Sequence, residues 1–138
     1  MNGHDVTLSM GALRHIALYG TSANPPTGKS GHLGIVQYLV TLGFEEVWVL
    51  PVYKHIFSSK SDLASFEDRM HMCELAFSRA STPACTVKVL PIEKEANDAI
   101  LASNPTNPNI GTIDTLLYLR NHTLKSLTNV QLHLVLGG

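Results

Sequence analysis

Four short apolar runs, separated by longer amphipathic segments, set the pattern of hydrophobic and polar positions along this chain. Each run has the length of a strand, is rich in Val, Leu and Ile, and is bounded by Gly, Pro or polar residues. The pattern predicts four β-strands, at residues 15–19, 47–53, 86–92 and 130–136. Trp48 falls inside the second run, so we expect it in the core rather than on a binding surface.

Segments with helical periodicity lie between the runs. In residues 30–43, Ser30 is a candidate N-cap and Gly43 follows the last turn. In residues 65–80, Ser65 and Asp68 resemble the start of a capping box. A weaker candidate covers residues 92–102, and a fourth helix begins after Thr112. The residues predicted to face inwards are Ile35, Val36, Leu39, Val40 and Leu42 in the first helix, Phe66, Met70, Cys73, Ala76, Phe77 and Ala80 in the second, and Ile113, Leu116 and Leu117, with Tyr118 as a further candidate, in the fourth.

Alternation of strand and helix predicts an α/β fold, in which a parallel sheet carries helices on both faces in three layers, α/β/α. Ligands of such sheets bind beyond the carboxyl ends of the strands, where the winding reverses. Residues 20–32, 53–60 and 137–138 follow predicted strands one, two and four. If the strand order is 3-2-1-4, strands one and four are neighbours and their loops flank one crevice. Residues 102–111, with two Pro and three Asn, are predicted to form a further loop.

Composition limits the classes of protein to consider. A chain of 138 residues with 44% hydrophobic content fits one domain, residues 1–138, in which residues 1–11 form a flexible arm. Ten basic and eleven acidic residues give a net charge of −1, which predicts neither nucleic-acid nor membrane binding. Cys73 and Cys85 have neither metal-ligand spacing nor a disulfide pattern, and no signal peptide is visible. We therefore expect buried thiols and a cytoplasmic location.

The loop after the first strand supports two interpretations. Residues 23–30, ANPPTGKS, nearly match the P-loop pattern, in which consecutive backbone N–H groups hold phosphate. However, Pro25 and Pro26 have no N–H to donate, and Ala23 replaces the first Gly. Alternatively, His32 in the first turn of the following helix faces phosphates that the helix dipole attracts. A histidine that only caps or lines the helix is the structural alternative.

Five segments in order resemble the nicotinate/nicotinamide-mononucleotide adenylyltransferases, within the HxGH nucleotidyltransferase family. They are GTSANPPT at residues 20–27 followed by Gly31 and His32, LPVY at 50–53 with His55 and Lys60, FEDRM at 66–70 with Met72, TIDTL at 112–116, and LGG at 136–138. Thr27 matches the members in which Thr replaces the first His of HxGH. The resemblance implies a Rossmann-like nucleotidyltransferase fold.

The resemblance also implies a reaction: adenylyl transfer from ATP to nicotinate or nicotinamide mononucleotide, giving the dinucleotide and pyrophosphate. Its implied partners are ATP and the pyridine mononucleotide, with Mg²⁺ bridging the ATP phosphates, and it implies no protein ligand to a metal. The implied site residues are His32 and Thr27 for catalysis, Gly20, Thr21, Ser22, Lys29, Gly31, Lys60 and Gly137 for ATP and phosphate, and Asn24, His55, Arg69, Thr112 and Thr115 for the mononucleotide.

Several alternatives stay open at this point. Lys60 is equally typical of a solvated surface, His55 of loop packing, Arg69 of an ion pair with Asp68 or Glu67, and the two threonines of N-capping. The loop around Lys29 is longer than the family pattern, and the C-terminal part of that pattern has no counterpart after Gly138. Competing functions are therefore a P-loop ATPase or GTPase, a truncated nucleotide-binding domain without turnover, and transfer to another acceptor such as phosphopantetheine. A homo-oligomer is also open.

Overall fold

A computed structural model describes residues 13–23, 25–28, 30–53, 64–103, 112–123 and 129–135, without the side chains of residues 112, 113 and 123. Its four strands are β1 (Arg14–Thr21), β2 (Glu46–Pro51), β3 (Thr86–Val89) and β4 (Val130–Val135). All neighbouring pairs are parallel, and the strand order is β3-β2-β1-β4. The four strands predicted from the sequence and their conditional order are confirmed, but β2 ends at Pro51 rather than at residue 53, and β3 ends at Val89 rather than at residue 92.

The helices alternate with the strands as predicted. They are α1 (His32–Val40), α2 (Phe66–Phe77), α3 (Ile92–Ser103) and α4 (Thr112–Tyr118), and a π-helical turn, Leu119–Thr123, continues α4. Ser65 caps α2 as expected, because its hydroxyl oxygen accepts a hydrogen bond of 3.1 Å from the Asp68 N–H. Gly43 ends the turn after α1 with a φ of +93°, a conformation that favours glycine.

The sheet separates two hydrophobic cores, one on each face. Alternate residues of β1 point in opposite directions, so Ala17 packs with α1 and α2 while Leu18 packs on the side of α3 and α4. Every residue of the central strand β2 is buried, whereas the edge strand β3 alternates between exposed and half-buried positions. The three-layer α/β/α architecture is thereby confirmed.

Three predictions about the helices are wrong in detail. Helix α1 begins at His32, after a Gly31 N-cap without a side-chain bond, and Ser30 is an exposed turn residue. Leu42 is 50% exposed because the helix ends before it, and Leu117 is 43% exposed. The buried positions here are Thr115 in α4 and Leu119 at the start of the π-helical turn, since helical spacing places them on the face that meets the sheet.

The amino-terminal end of β2 carries a small charged cluster. The Glu46 carboxylate accepts hydrogen bonds from Trp48 Nε1 at 2.6 Å and from Arg14, and it pairs with Lys88 Nζ at 3.0 Å. Burial raises the pKa of Glu46, but these donors and charges outweigh burial and hold the pKa below its ordinary value. Trp48 is buried, as predicted.

Both cysteines are free thiols in the core. Burial raises the pKa of Cys73 to about 11, so the thiolate is scarce at neutral pH. The prediction of buried structural thiols is confirmed.

Candidate active site

A cavity of about 420 Å³ opens at the carboxyl end of β1. Its position agrees with the rule that ligands of parallel sheets bind beyond the carboxyl ends of the strands. Six predicted site residues line it, together with two residues that the sequence did not single out. The lining residues are Tyr19, Gly20, Thr21, Ser22, Thr27, Gly31, His32 and Ile35.

Thr27 and His32 form a closed hydrogen-bonded unit at this cavity. The Thr27 backbone N–H donates to His32 Nδ1 at 2.8 Å, and the His32 backbone N–H donates to the Thr27 hydroxyl oxygen at 3.0 Å. The same hydroxyl oxygen lies 3.0 Å from Nδ1. Thr27 thus supplies the side-chain cap of α1 that the sequence had assigned to Ser30.

These bonds fix the tautomer of His32. A backbone N–H can only donate, so Nδ1 must accept and the neutral ring carries its hydrogen on Nε2. Among the described residues, Nε2 has no hydrogen-bond partner. His32 therefore lines the cavity with a ring that is held through Nδ1 and carries one N–H donor at Nε2, which is the property expected of a group that contacts a phosphate oxygen.

Gly31 is required by the close approach of Thr27. A Cβ built on Gly31 would lie 1.9 Å from Thr27 Oγ1 and 3.0 Å from Thr27 Cβ, both far inside van der Waals contact. The glycine of the Gly-His pair thus has a local structural explanation, because only glycine leaves room for the threonine that orients the histidine.

The first amides of α1 are occupied by the chain itself. The Leu33 N–H donates to the Thr27 carbonyl at 3.0 Å, and the N–H groups of Gly31 and Gly34 donate to the Gly28 carbonyl at 2.9 and 3.3 Å. A P-loop needs such amides free to cradle phosphate. The observed bonds therefore favour His32 and the helix dipole, rather than a ring of amides, as the groups that meet an anion here.

The turn after β1 has an unusual conformation at Ala23, whose φ is +45°. The Thr21 hydroxyl accepts from the Ala23 N–H at 3.2 Å, and Ala23 itself is fully buried. A left-handed residue redirects the chain sharply, at a modest energetic cost for a residue with a side chain. Thr21, predicted to contact phosphate, thus also stabilises the turn that shapes the cavity.

Arg69, on α2, does not line this cavity, and its partners differ from the acidic neighbours that the sequence suggested. Its side chain is 1% exposed and donates to backbone carbonyls, including that of Ser22 at 3.2 Å. In the described part of the chain it forms no ion pair with Asp68 or Glu67. Sequence reasoning missed these partners because a carbonyl 47 positions away leaves no local signal.

The structure does not bring all predicted site residues to the cavity. Thr115 is buried on α4 and does not line it. The other predicted residues, Asn24, Lys29, His55, Lys60 and Gly137, lie outside the described residues, as does the side chain of Thr112. Tyr19 and Ile35 were overlooked as lining residues. Their signal was present, since Tyr19 ends the apolar run of β1 and Ile35 lies three residues after His32 on the helix.

A second, larger cavity of about 530 Å³ lies beside β4, and its lining is mostly apolar. It includes Leu13, Leu116 and Leu132 but none of the predicted site residues. By size alone, this groove would be the candidate binding site, but the oriented polar groups at His32 make the smaller cavity the better candidate.

Known proteins resemble this chain in sequence and in fold. No family model matches the chain. Over 64 residues, 46% of this chain, it is 50% identical to a probable nicotinate-nucleotide adenylyltransferase of Anaeromyxobacter sp. (strain K) and to one of Anaeromyxobacter dehalogenans (strain 2CP-1). The matched segment covers 32% of each relative. This chain therefore matches about a third of the length of these relatives.

A solved structure shows the same fold. The Plasmodium falciparum nicotinic acid mononucleotide adenylyltransferase complexed with NaAD matches 90% of this chain and 52% of its own, with a TM-score of 0.59 and 19% identity. Among the helices that the structure describes, none has the length and hydropathy of a membrane span. The resemblance predicted from the sequence is confirmed: over its matched segment, the chain is similar in sequence to nicotinate-nucleotide adenylyltransferases, and its Rossmann-like fold is that of a mononucleotide adenylyltransferase.

Proposed function

We propose that this chain transfers the adenylyl group of ATP to nicotinate mononucleotide, or to nicotinamide mononucleotide, in the biosynthesis of NAD. The observation that carries the proposal is the Thr27–His32 unit, which presents an oriented Nε2–H at a cavity beyond β1. The partial sequence similarity to nicotinate-nucleotide adenylyltransferases supports the choice of reaction. We further propose a single domain that acts in the cytoplasm.

In the proposed reaction, an oxygen of the mononucleotide 5′-phosphate attacks the α-phosphorus of ATP. The new P–O bond forms as the bond between the α-phosphorus and the pyrophosphate oxygen breaks, and pyrophosphate carries away the electron pair. No covalent bond to the protein forms. The task of the protein is to align the two phosphates and to stabilise charge on the phosphoryl oxygens.

His32 is the residue proposed to stabilise that charge. Its Nε2–H is held in place before substrate arrives, so little reorganisation is needed as negative charge grows on a phosphoryl oxygen. The backbone N–H of Thr27 holds the His32 ring, and the hydroxyl oxygen of Thr27 accepts from the first amide of α1. The hydrogen of that hydroxyl is proposed as a second donor to phosphate. Catalysis then depends on the loop that connects these two residues.

Magnesium is proposed to enter with ATP. Among the described residues, no group of three His, Cys, Asp or Glu side chains lies close enough together to hold a metal ion. Mg²⁺ is commonly held by substrate phosphates and water rather than by an all-protein cage, so the proposal requires no dedicated protein ligand. It would neutralise charge on the ATP phosphates.

The other site residues carried over from the resemblance remain proposals. Lys29, Lys60 and Gly137 are proposed near the ATP phosphates, and Asn24, His55 and the two threonines Thr112 and Thr115 near the mononucleotide. Arg69 is left out of this set, because its guanidinium donates hydrogen bonds to backbone carbonyls.

The decisive experiment supplies ATP, Mg²⁺ and nicotinate mononucleotide to the 138-residue chain and measures dinucleotide with a coupled NAD assay. We expect product from the wild type, near loss of product from His32→Ala, and a milder reduction from Lys29→Ala. His71→Ala, an exposed position on α2, is the matched control and should behave as wild type. A reversed order of the His32 and Lys29 variants would reject the transferase and favour a P-loop enzyme. Nucleotide binding without any product would favour a binding domain without turnover.

A further inference from the structure

The Arg69 guanidinium joins three separate segments of the chain. Its Nε donates to the Ala64 carbonyl at 2.9 Å, just before α2. Its Nη1 donates to the carbonyls of Ser22, which follows β1, and of Val52, which follows β2. Its Nη2 donates to the Tyr53 carbonyl at 3.3 Å. One side chain therefore holds the chain where it leaves two neighbouring strands.

In the two residues after β2, Val52 and Tyr53, the backbone N–H and the carbonyl each form a hydrogen bond. The Val52 N–H donates to the Thr21 carbonyl at 2.9 Å, and the Tyr53 N–H donates to the Glu93 carboxylate at 3.4 Å. Both of their carbonyls accept from Arg69. Strand β1, helix α2 and helix α3 thus each contribute a contact to this dipeptide.

The chemistry of the side chain explains why arginine occupies this position. A guanidinium has five N–H donors in a rigid planar fork, so it can reach carbonyls that diverge from one centre. A lysine ammonium is a compact donor on a flexible stem and cannot span the same set. Burial of the cation costs free energy and lowers the pKa of Arg69, and the nearby charge of Glu93 offsets only part of this effect.

The contacts of Arg69 are separate from those of the histidine. The Thr27–His32 bonds involve no atom of Arg69, whereas Ser22, which Arg69 holds, lines the same cavity. Arg69 thus affects the wall of the cavity without touching the group proposed to act on the phosphate. Loss of Arg69 should therefore weaken substrate binding more than the chemical step.

We infer that Arg69, assisted by Glu93, is a positioning residue that fixes Ser22 relative to Val52 and Tyr53 and so sets the shape of the cavity wall that Ser22 forms near His32. This inference rests on the proposed function and deepens it. In this inference Arg69 does not contact the mononucleotide directly; it acts by holding the chain segments that follow β1 and β2.

The experiment compares Arg69→Met and Arg69→Lys with Cys73→Ala. Cys73 lies one helical turn further along α2, is fully buried in the core, and takes no part in the hydrogen bonds that Arg69 donates to Ser22, Val52 and Tyr53. It therefore controls for general destabilisation of α2. Steady-state kinetics with nicotinate mononucleotide and ATP, melting temperatures, and amide hydrogen exchange of Val52 and Tyr53 are measured on each variant.

We expect Arg69→Met to raise the KM for nicotinate mononucleotide about tenfold, with kcat within about threefold of wild type. Arg69→Lys should fall between this variant and wild type. Exchange of the Val52 and Tyr53 amides should be at least about tenfold faster in both Arg69 variants, with the Val49 amide unchanged. At a comparable melting temperature, Cys73→Ala should keep the wild-type KM and the slow exchange.

Other results overturn the inference. Wild-type KM in both Arg69 variants, or unchanged exchange of the Val52 and Tyr53 amides, would reject a positioning role. Equal effects of Arg69→Lys and Cys73→Ala at matched stability would show that Arg69 only stabilises the helix. If the wild type itself forms no product, the proposed function fails, and with it the link to KM. The exchange data then still decide whether Arg69 fixes these segments.

Discussion

The Thr27 side chain can occupy its position only because Gly31 has no side chain. A Cβ on Gly31 would lie 1.9 Å from the Thr27 hydroxyl oxygen. That oxygen accepts a hydrogen bond from the His32 N–H, the first amide of α1. The glycine, the threonine and the histidine therefore form one structural unit. A substitution at Gly31 or Thr27 should therefore alter the cavity by changing the orientation of the His32 imidazole, and a substitution at His32 should remove that ring.

Gly31→Ala should displace Thr27 and release the His32 ring. Because the cap of α1 is lost, the free energy of unfolding should fall by about 1 kcal/mol. Since the Nε2–H is no longer held towards substrate, kcat/KM should fall by about tenfold to a hundredfold. Urea denaturation and the coupled NAD assay measure the two effects. Gly28→Ala is the control, because a Cβ there meets nothing within 4 Å. Equal behaviour of the two variants would contradict the steric explanation.

Thr27→Val and Thr27→Ser should separate the hydroxyl from the shape of the side chain. Valine keeps the shape but removes the acceptor for the His32 amide, which should cost about 1 kcal/mol of stability. Serine keeps the acceptor and should remain within about 0.5 kcal/mol of wild type. The Thr27 N–H still donates to His32 Nδ1 in both variants, so the ring ¹⁵N shifts should report the Nε2–H tautomer throughout. A tautomer change in Thr27→Val would show that the hydroxyl, not the amide, selects it.

Stability should depend on pH through Glu46. Because its folded-state pKa lies below the ordinary value of 4.5, the carboxylate adds stability at neutral pH. That stability should be lost as the pH falls through the folded-state pKa. Glu46→Gln should lower the free energy of unfolding by about 1–2 kcal/mol at pH 7 and by much less once the pH is well below the folded-state pKa. Urea titrations followed by the fluorescence of Trp48, the single tryptophan, measure this difference. The same difference at both pH values would exclude Glu46 as the cause.

The sequence by itself determined the architecture of this protein. Apolar runs of strand length predicted β1 to β4, and the helical periodicity between them required parallel strands with crossovers on both faces. These signals are local, because a strand or helix must place its apolar side chains with the period of its own backbone. The same reasoning places His32 at the start of α1, and the two prolines argue against a P-loop because they have no N–H to donate.

Only the tertiary structure decided how the site is held together. Sequence placed the cap of α1 at Ser30, whereas the loop folds back so that Thr27 caps the helix and orients His32. The sequence suggests an ion pair between Arg69 and an acidic neighbour, whereas in the fold Arg69 donates hydrogen bonds to the carbonyls of Ser22 and Val52. Carbonyl groups occur at every residue and carry no pattern along the chain. Which of them meet at one guanidinium is fixed only when β1, β2 and α2 pack against one another.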